Sequence, residues 1–183
     1  GLKGQYILTG SARPAESSVM HSGTGRISKL LMRPMSLYES GESDGTVSLR
    51  SIIEGKDIES VSSLDFDNLI DVMVRGGFPA SLDVSDDNKY KIAKEYVKSL
   101  LNEEIKSLDG VKRNASKMGA VLKSISRNIS TNVNKSTILD DVKNEFGSDV
   151  SRPTLDDYLS VLEKLYILEY VPATNLNLRS KTP

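Results

Sequence analysis

The chain has 183 residues, 38% of them hydrophobic and 27% charged, with a formal net charge of −1 and no cysteine. That balance describes one ordinary globular domain or two small ones, and it excludes disulfides, thiol catalysis and Cys-based zinc sites. The single histidine, His21, leaves no basis for His-based metal sites or Ser/His/Asp catalysis, and near-neutral charge gives no global case for a nucleic-acid partner.

No apolar run approaches the length of a membrane span. Absence of cysteine fits a reducing compartment. The expectation is therefore a cytoplasmic chain with no membrane partner. Charge is unevenly spread. From Glu39 to Asp87 the sequence is rich in acids, whereas from Val111 to Thr137 the charged residues are Lys112, Arg113, Lys117, Lys123, Arg127 and Lys135.

In chain order, Tyr6-Ile7-Leu8 is an apolar run ended by Thr9-Gly10-Ser11 and reads as a short buried strand. Such a strand needs neighbours on both sides, which predicts a missing upstream portion. Ala12 to His21 reads as a short helix broken by Ser22-Gly23-Thr24-Gly25. Arg26 to Met32 reads as a second strand, stopped by Arg33-Pro34. Ser40 to Thr46 reads as a mobile loop.

Asp65 to Val74 has helical period, with Phe66, Leu69, Ile70, Met73 and Val74 on one face, and Gly76-Gly77-Phe78-Pro79 ends it. Asn88 to Leu108 is the clearest long helix, closed by Asp109-Gly110. A basic amphipathic helix follows over Asn114 to Asn128. Ser136 or Thr137 caps a further helix that Gly147 stops in a left-handed turn. Ser151 caps the last helix, with Pro153 in its first turn. Ile167 to Val171 reads as a strand ended by Pro172. Three helices, a short turn between the second and third, and then a strand make a helix-turn-helix with a wing.

The sequence holds no G-x-x-x-x-G-K-[ST] phosphate loop and no strand ending in an acidic pair for magnesium. Alone, the chain is expected to bind no ATP, magnesium or other metal, and not to hydrolyse ATP. Yet Gly4-Gln5-Tyr6-Ile7-Leu8-Thr9-Gly10-Ser11 resembles the strand after the magnesium-binding strand of a family of bacterial and archaeal AAA-type ATPases with an uncharacterised, nuclease-like C-terminal domain. Gly25-Arg26-Ile27 with Pro34-Met35-Ser36-Leu37, then Arg75-Gly76-Gly77-Phe78-Pro79, then Ser151-Arg152-Pro153-Thr154 running to Leu162-Glu163, resemble the same family in the same order.

That resemblance implies roles. Thr9 or Ser11 would be the polar sensor of the γ-phosphate or attacking water, since a hydroxyl both donates and accepts; the alternative is an ordinary turn residue. Arg26 would stabilise transferring phosphoryl charge, in a neighbouring subunit, through a bidentate guanidinium; the alternative is a surface arginine. Arg75 would be a second nucleotide-sensing arginine, while Gly76-Gly77 also reads as a turn needing positive φ. ATP and magnesium would be bound by the full-length protein only. The implied partners are the N-terminal ATPase core, further copies in a homo-oligomer, and a protein docked on the winged helix.

The helix-turn-helix also admits DNA. Phosphate contacts would come from Lys112, Arg113, Lys117, Arg152, Arg179 and Lys181. Against this, from Ser151 to Tyr166 Arg152 and Lys164 stand against Asp156, Asp157 and Glu163, so DNA binding is expected to be weak.

The expected fold is mainly α with a small α/β remnant: residues 1–64 end a P-loop ATPase domain, 65–110 form a helical lid or linker, and 111–183 form a winged helix-turn-helix. The expected function is a fragment of an AAA-type ATPase, inactive by itself. The alternative is a stand-alone winged-helix DNA-binding regulator.

Overall fold

The computed structural model of the chain describes residues 4–10, 25–105 and 108–171. It is mainly helical: α1 Leu49–Ile53, α2 Phe66–Arg75, α3 Asp86–Ser99, α4 Ala115–Arg127, α5 Lys135–Phe146 and α6 Arg152–Lys164. A 3₁₀ turn covers Pro79–Ser81, and a π-helical segment, Leu100–Glu104, continues α3. Two compact units are formed, residues 23–99 and residues 100–183 with 1–22.

Helix ends follow local chemistry. Asp65 caps α2 by accepting from the Asn68 N–H at 2.8 Å, and Asn114 caps α4 by accepting from Lys117 N–H at 3.0 Å. Asn134, one turn ahead of the expected Ser136 or Thr137, caps α5 by accepting from Thr137 N–H at 2.9 Å. Gly147 ends α5 at φ 61°, ψ 21°, returning its N–H to the Val142 carbonyl, the left-handed stop that favours glycine. Ser151 caps α6 and Pro153 sits in its first turn, where a missing N–H costs nothing.

Helices α4, α5 and α6 enclose the core. Val121, Val142, Leu155 and Leu162 are fully buried, with Met118, Ile138, Tyr158 and Leu159 around them. Each such side chain contributes about 1.5–3 kcal/mol on leaving water. In the unit of residues 23–99, by contrast, none of the described apolar side chains is buried; among its described residues only Ser81 is buried, its hydroxyl donating to the Phe78 carbonyl at 2.6 Å. There α2 and α3 pack together, Tyr90 donates to Asp71, and the Phe78 and Tyr96 rings lie 5.2 Å apart.

The expected strands do not form among the described residues. Tyr6, Ile7 and Leu8 are 88%, 90% and 87% exposed; Arg26 to Met32 is irregular and largely exposed as well. An apolar run becomes a strand only when a second strand offers its N–H and C=O groups. Ile167 to Val171 fails for another reason. Tyr166 turns the backbone at φ 58°, and the N–H groups of Ile167 and Leu168 both donate to the Leu162 carbonyl. Those donors close the end of α6 and are lost to any ladder. Ser40 to Thr46 is a tied turn instead of a loose loop: the N–H groups of Glu42 and Ser43 both donate to Leu37 O at 2.9 Å. The expected helix over Ala12 to His21 lies outside the described residues.

Candidate functional site

Two of the short stretches singled out in the sequence, Pro34-Met35-Ser36-Leu37 and Arg75-Gly76-Gly77-Phe78-Pro79, meet. Helix α2 ends at Arg75 because Gly76 adopts φ 74°, ψ −176° and gives its N–H to the Val72 carbonyl. This turns the next carbonyl outward, and Gly77 O accepts from the Met35 N–H at 2.7 Å. A Cβ on Gly77 would lie 2.6 Å from Met35 O and 2.9 Å from Met35 N. Glycine is required there for close approach of backbone to backbone.

The same corner places Arg75. Its guanidinium pairs with the Glu42 carboxylate, and the side chains are only 15% and 17% exposed. Ser40 Oγ also donates to Glu42. The Arg75 hydrogen bond, then the Ser40 one, hold the Glu42 carboxyl below its ordinary range. Arg75 is thus an organised cation, held beside the Met35–Gly77 contact by a carboxylate 33 residues away in sequence. Periodicity could reveal the helix but not Glu42, one acid among many in its stretch.

The other expected sensors are distributed. Thr9 is exposed in irregular backbone, and Arg26 is exposed in a turn after Gly25. They belong to different compact units, Thr9 to one and Arg26 with Arg75 to the other. Ser11 lies outside the described residues.

The helical unit engages several of its basic residues within its own fold. Arg113 is 7% exposed and bridges Asp109 and Asp157. Hydrogen bonds to Asp157, then Asp109, raise its pKa further; the Asp109 carboxyl falls to about 2, chiefly through its bond to Arg113. Lys117 Nζ donates to Asp149 O at 2.6 Å. Lys123 and Arg127 lie 5.8 and 5.9 Å over the Phe146 ring, and Arg127 also pairs with Asp141 and Glu145. Lys135 pairs with Asp156 at 2.6 Å. Lys112 lines an open groove of about 490 Å³ with Leu101, Asn102, Ile105 and Ser116, beside the start of α4. Arg152 is exposed at the first turn of α6. Arg179 and Lys181 lie outside the described residues.

The family model of a domain of unknown function, DUF8612, matches residues 66–183. The chain belongs to that family. The DUF8612 match opens on Phe66, the first residue of α2, and takes in Arg75, Gly77 and all of α4 to α6, while Met35 and Glu42 precede it. No curated protein and no solved structure matches the chain. No helix among the described residues is long and apolar enough to cross a membrane.

Proposed function

We propose that this DUF8612 chain is the nucleotide-sensing and interaction portion of an AAA-type ATPase, itself inactive as an ATPase. The junction of Met35 with Gly77 carries the reading. Two stretches that resemble the ATPase family, 42 residues apart from Met35 to Gly77, are joined by one backbone hydrogen bond and leave an arginine organised beside it. The absence of any buried apolar side chain among the described residues of 23–99 adds support. A separate N-terminal ATPase core would supply the missing neighbours for Tyr6 to Leu8 and Arg26 to Met32.

In this reading ATP and magnesium are held by that core. Arg75 in this chain is committed to Glu42. Thr9 or Ser11 and Arg26 sense nucleotide state. The α4–α6 unit, without the expected wing strand over Ile167 to Val171, serves as a helix-turn-helix module for a protein partner, because several of its basic residues are engaged within the fold.

Magnesium-dependent ATP turnover tests the proposal. The purified chain should show none. In the full-length protein, Arg26→Ala should slow turnover on the order of a thousandfold, the scale of a phosphoryl-stabilising arginine. Turnover by the chain alone, or an unchanged rate in the Arg26→Ala protein, would refute it. DNA binding that falls steeply with salt would instead favour the stand-alone winged-helix regulator.

A further inference from the structure

The π-helical segment Leu100–Glu104 stands between two apolar spacings that are one residue out of step. Ile92, Tyr96 and Leu100 follow one another at intervals of four; so do Val97, Leu101 and Ile105. In an α-helix the residue four places on shares a face, and the residue five places on does not. Yet Leu100 and Ile105, five apart, are both buried in the core of the helical unit, at 1% and 2% exposure. A π turn, which bonds i to i+5, achieves that pairing. Just beyond it, the Leu108 N–H donates to the Glu104 carbonyl, four back, at 3.2 Å.

Leu101 competes for the same place. It already packs, half-buried, against this core. As the fourth residue before Ile105, it is the one an α turn would set on the face of Ile105. Opposite it lies Gly119, in the middle of α4. A Cβ there would sit 3.6 Å from Leu101 Cδ1, an ordinary contact. Alanine would therefore fit the winding seen here, and it favours a helix more than glycine does. The missing Cβ has no use in this register, but it leaves room for Leu101 to cross α4.

We propose that Leu100–Glu104 is a register switch. The turn exchanges between π winding, with Leu100 and Ile105 seated on the core, and α winding, with Leu101 and Ile105 seated there. The inference rests on this segment and does not depend on the ATPase reading. Each state buries one leucine in place of the other, which keeps the two close in energy. The π state has the rarer winding, and the α state gives up the complete burial of Leu100. Helix α3 is continuous with the turn, so one exchange rotates α3 about its own axis by about 100°, the angle of one residue. Which leucine is seated against α4 is thereby tied to the face that α3 presents.

Register shifts of helices fall on the microsecond-to-millisecond scale, which methyl relaxation-dispersion NMR of the whole chain reads directly. The Leu100 and Leu101 methyls should show dispersion with one shared rate. Those of the fully buried Leu155 and Leu162 should show none. Deleting Glu103, which is exposed, leaves Leu100 and Ile105 four apart, so a plain α winding seats both. That variant should fold, keep or raise its urea midpoint, and lose the dispersion. Gly119→Ala should lose it too, by closing the path of Leu101, while the Leu100 shifts stay at the major-state values. Flat profiles for Leu100 and Leu101 in the wild type overturn the proposal, as does dispersion that survives either change. A Glu103 deletion that unfolds the chain or sharply lowers its midpoint also overturns it, since the extra residue is then an ordinary part of the helix.

Discussion

Arg113, in the connection ahead of α4, holds Asp157 of α6 in a two-pronged ion pair, Nε to Oδ2 at 2.7 Å and Nη2 to Oδ1 at 2.9 Å. The planar guanidinium is suited to that fork. With Asp109 on its other edge, it ties the end of the long helical run to the last helix of the core. Arg113→Ala should therefore destabilise the helical unit. The arginine is nearly buried but both acids are partly in water, at 36% and 47% exposure, so the expected loss is about 1–2 kcal/mol, below that for a fully buried pair. Urea unfolding followed by circular dichroism measures it. An unchanged midpoint would mean that the pair is only a surface decoration.

The same triad sets a pH dependence. The Asp109 carboxyl, ordinarily at 3.8, lies at about 2 in the folded chain, mainly through its bond to Arg113. A depressed folded value means that the unfolded chain takes up the proton first. The stabilisation is fully present above about pH 4 and is lost as pH falls toward 2. Asp157 is shifted in the same direction by the same arginine. Thermal unfolding of wild type should show a falling midpoint across that window, and Asp109→Asn should flatten part of the fall.

How much of this was legible beforehand depends on whether a feature is local. Helices α2, α4 and α6 follow from the spacing of Phe66 to Val74, Met118 to Ile125 and Leu155 to Leu165, because helical hydrogen bonds close within the segment. Ser151, Pro153 and Gly147 mark their boundaries for the same reason. Tyr6-Ile7-Leu8 did not become a strand, because a ladder needs a second strand that apolarity alone does not supply, and Ile167 to Val171 did not because its first N–H groups close the end of α6. Periodicity also leaves open which way a stripe faces: Phe66 and Met73 fit the pattern of a core and lie in water. Of the site, Arg75 and Gly76-Gly77 were visible as a motif. Glu42 and Met35, which hold them, come from 33 and 42 residues away, and nothing local announces such pairings.

The cap of α5 is a case where neighbouring polar residues compete. Asn134, Ser136 and Thr137 all carry capping chemistry, but Asn134 Oδ1 takes the Thr137 N–H and also accepts from both hydroxyls. Asn134→Ala should cost about 1 kcal/mol. Ser136→Ala should cost a few tenths at most, being an exposed substitution inside the first turn. Parallel chemical denaturation of the two variants separates them, and equal losses would reassign the cap.

Gly77 offers a steric test of the junction with Met35. Its hypothetical Cβ meets backbone atoms of Met35 at 2.6 and 2.9 Å and the Pro34 Cβ at 2.9 Å, none of which is the far end of a flexible side chain. Gly77→Ala should therefore force the two segments apart, at about 1–3 kcal/mol. Hydrogen exchange reads the result at one amide: protection of the Met35 N–H should fall while that of α4 to α6 stays. Retained protection at Met35 would show that the contact has room to give.

The Glu42–Arg75 pair decides whether that junction is a rigid brace or a site where the arginine can be released. The two side chains are mostly buried and were removed from water together. Deleting either partner strands the other charge, so Glu42→Ala and Arg75→Ala should each cost about 2–3 kcal/mol in the unit of residues 23–99. The double variant should cost clearly less than their sum, because no orphaned charge is left behind. Arg75→Lys should not restore stability in full, since an ammonium cannot reproduce the guanidinium's fixed geometry while also reaching the Gly76 carbonyl. Limited proteolysis of the 23–99 unit, run on all four variants, supplies the cycle. Strict additivity would show that the charges do not interact and that Arg75 is held by its backbone turn alone. A coupling of 1 kcal/mol or more, on the order expected for a desolvated pair, would show that freeing Arg75 for any other anion first requires displacing Glu42.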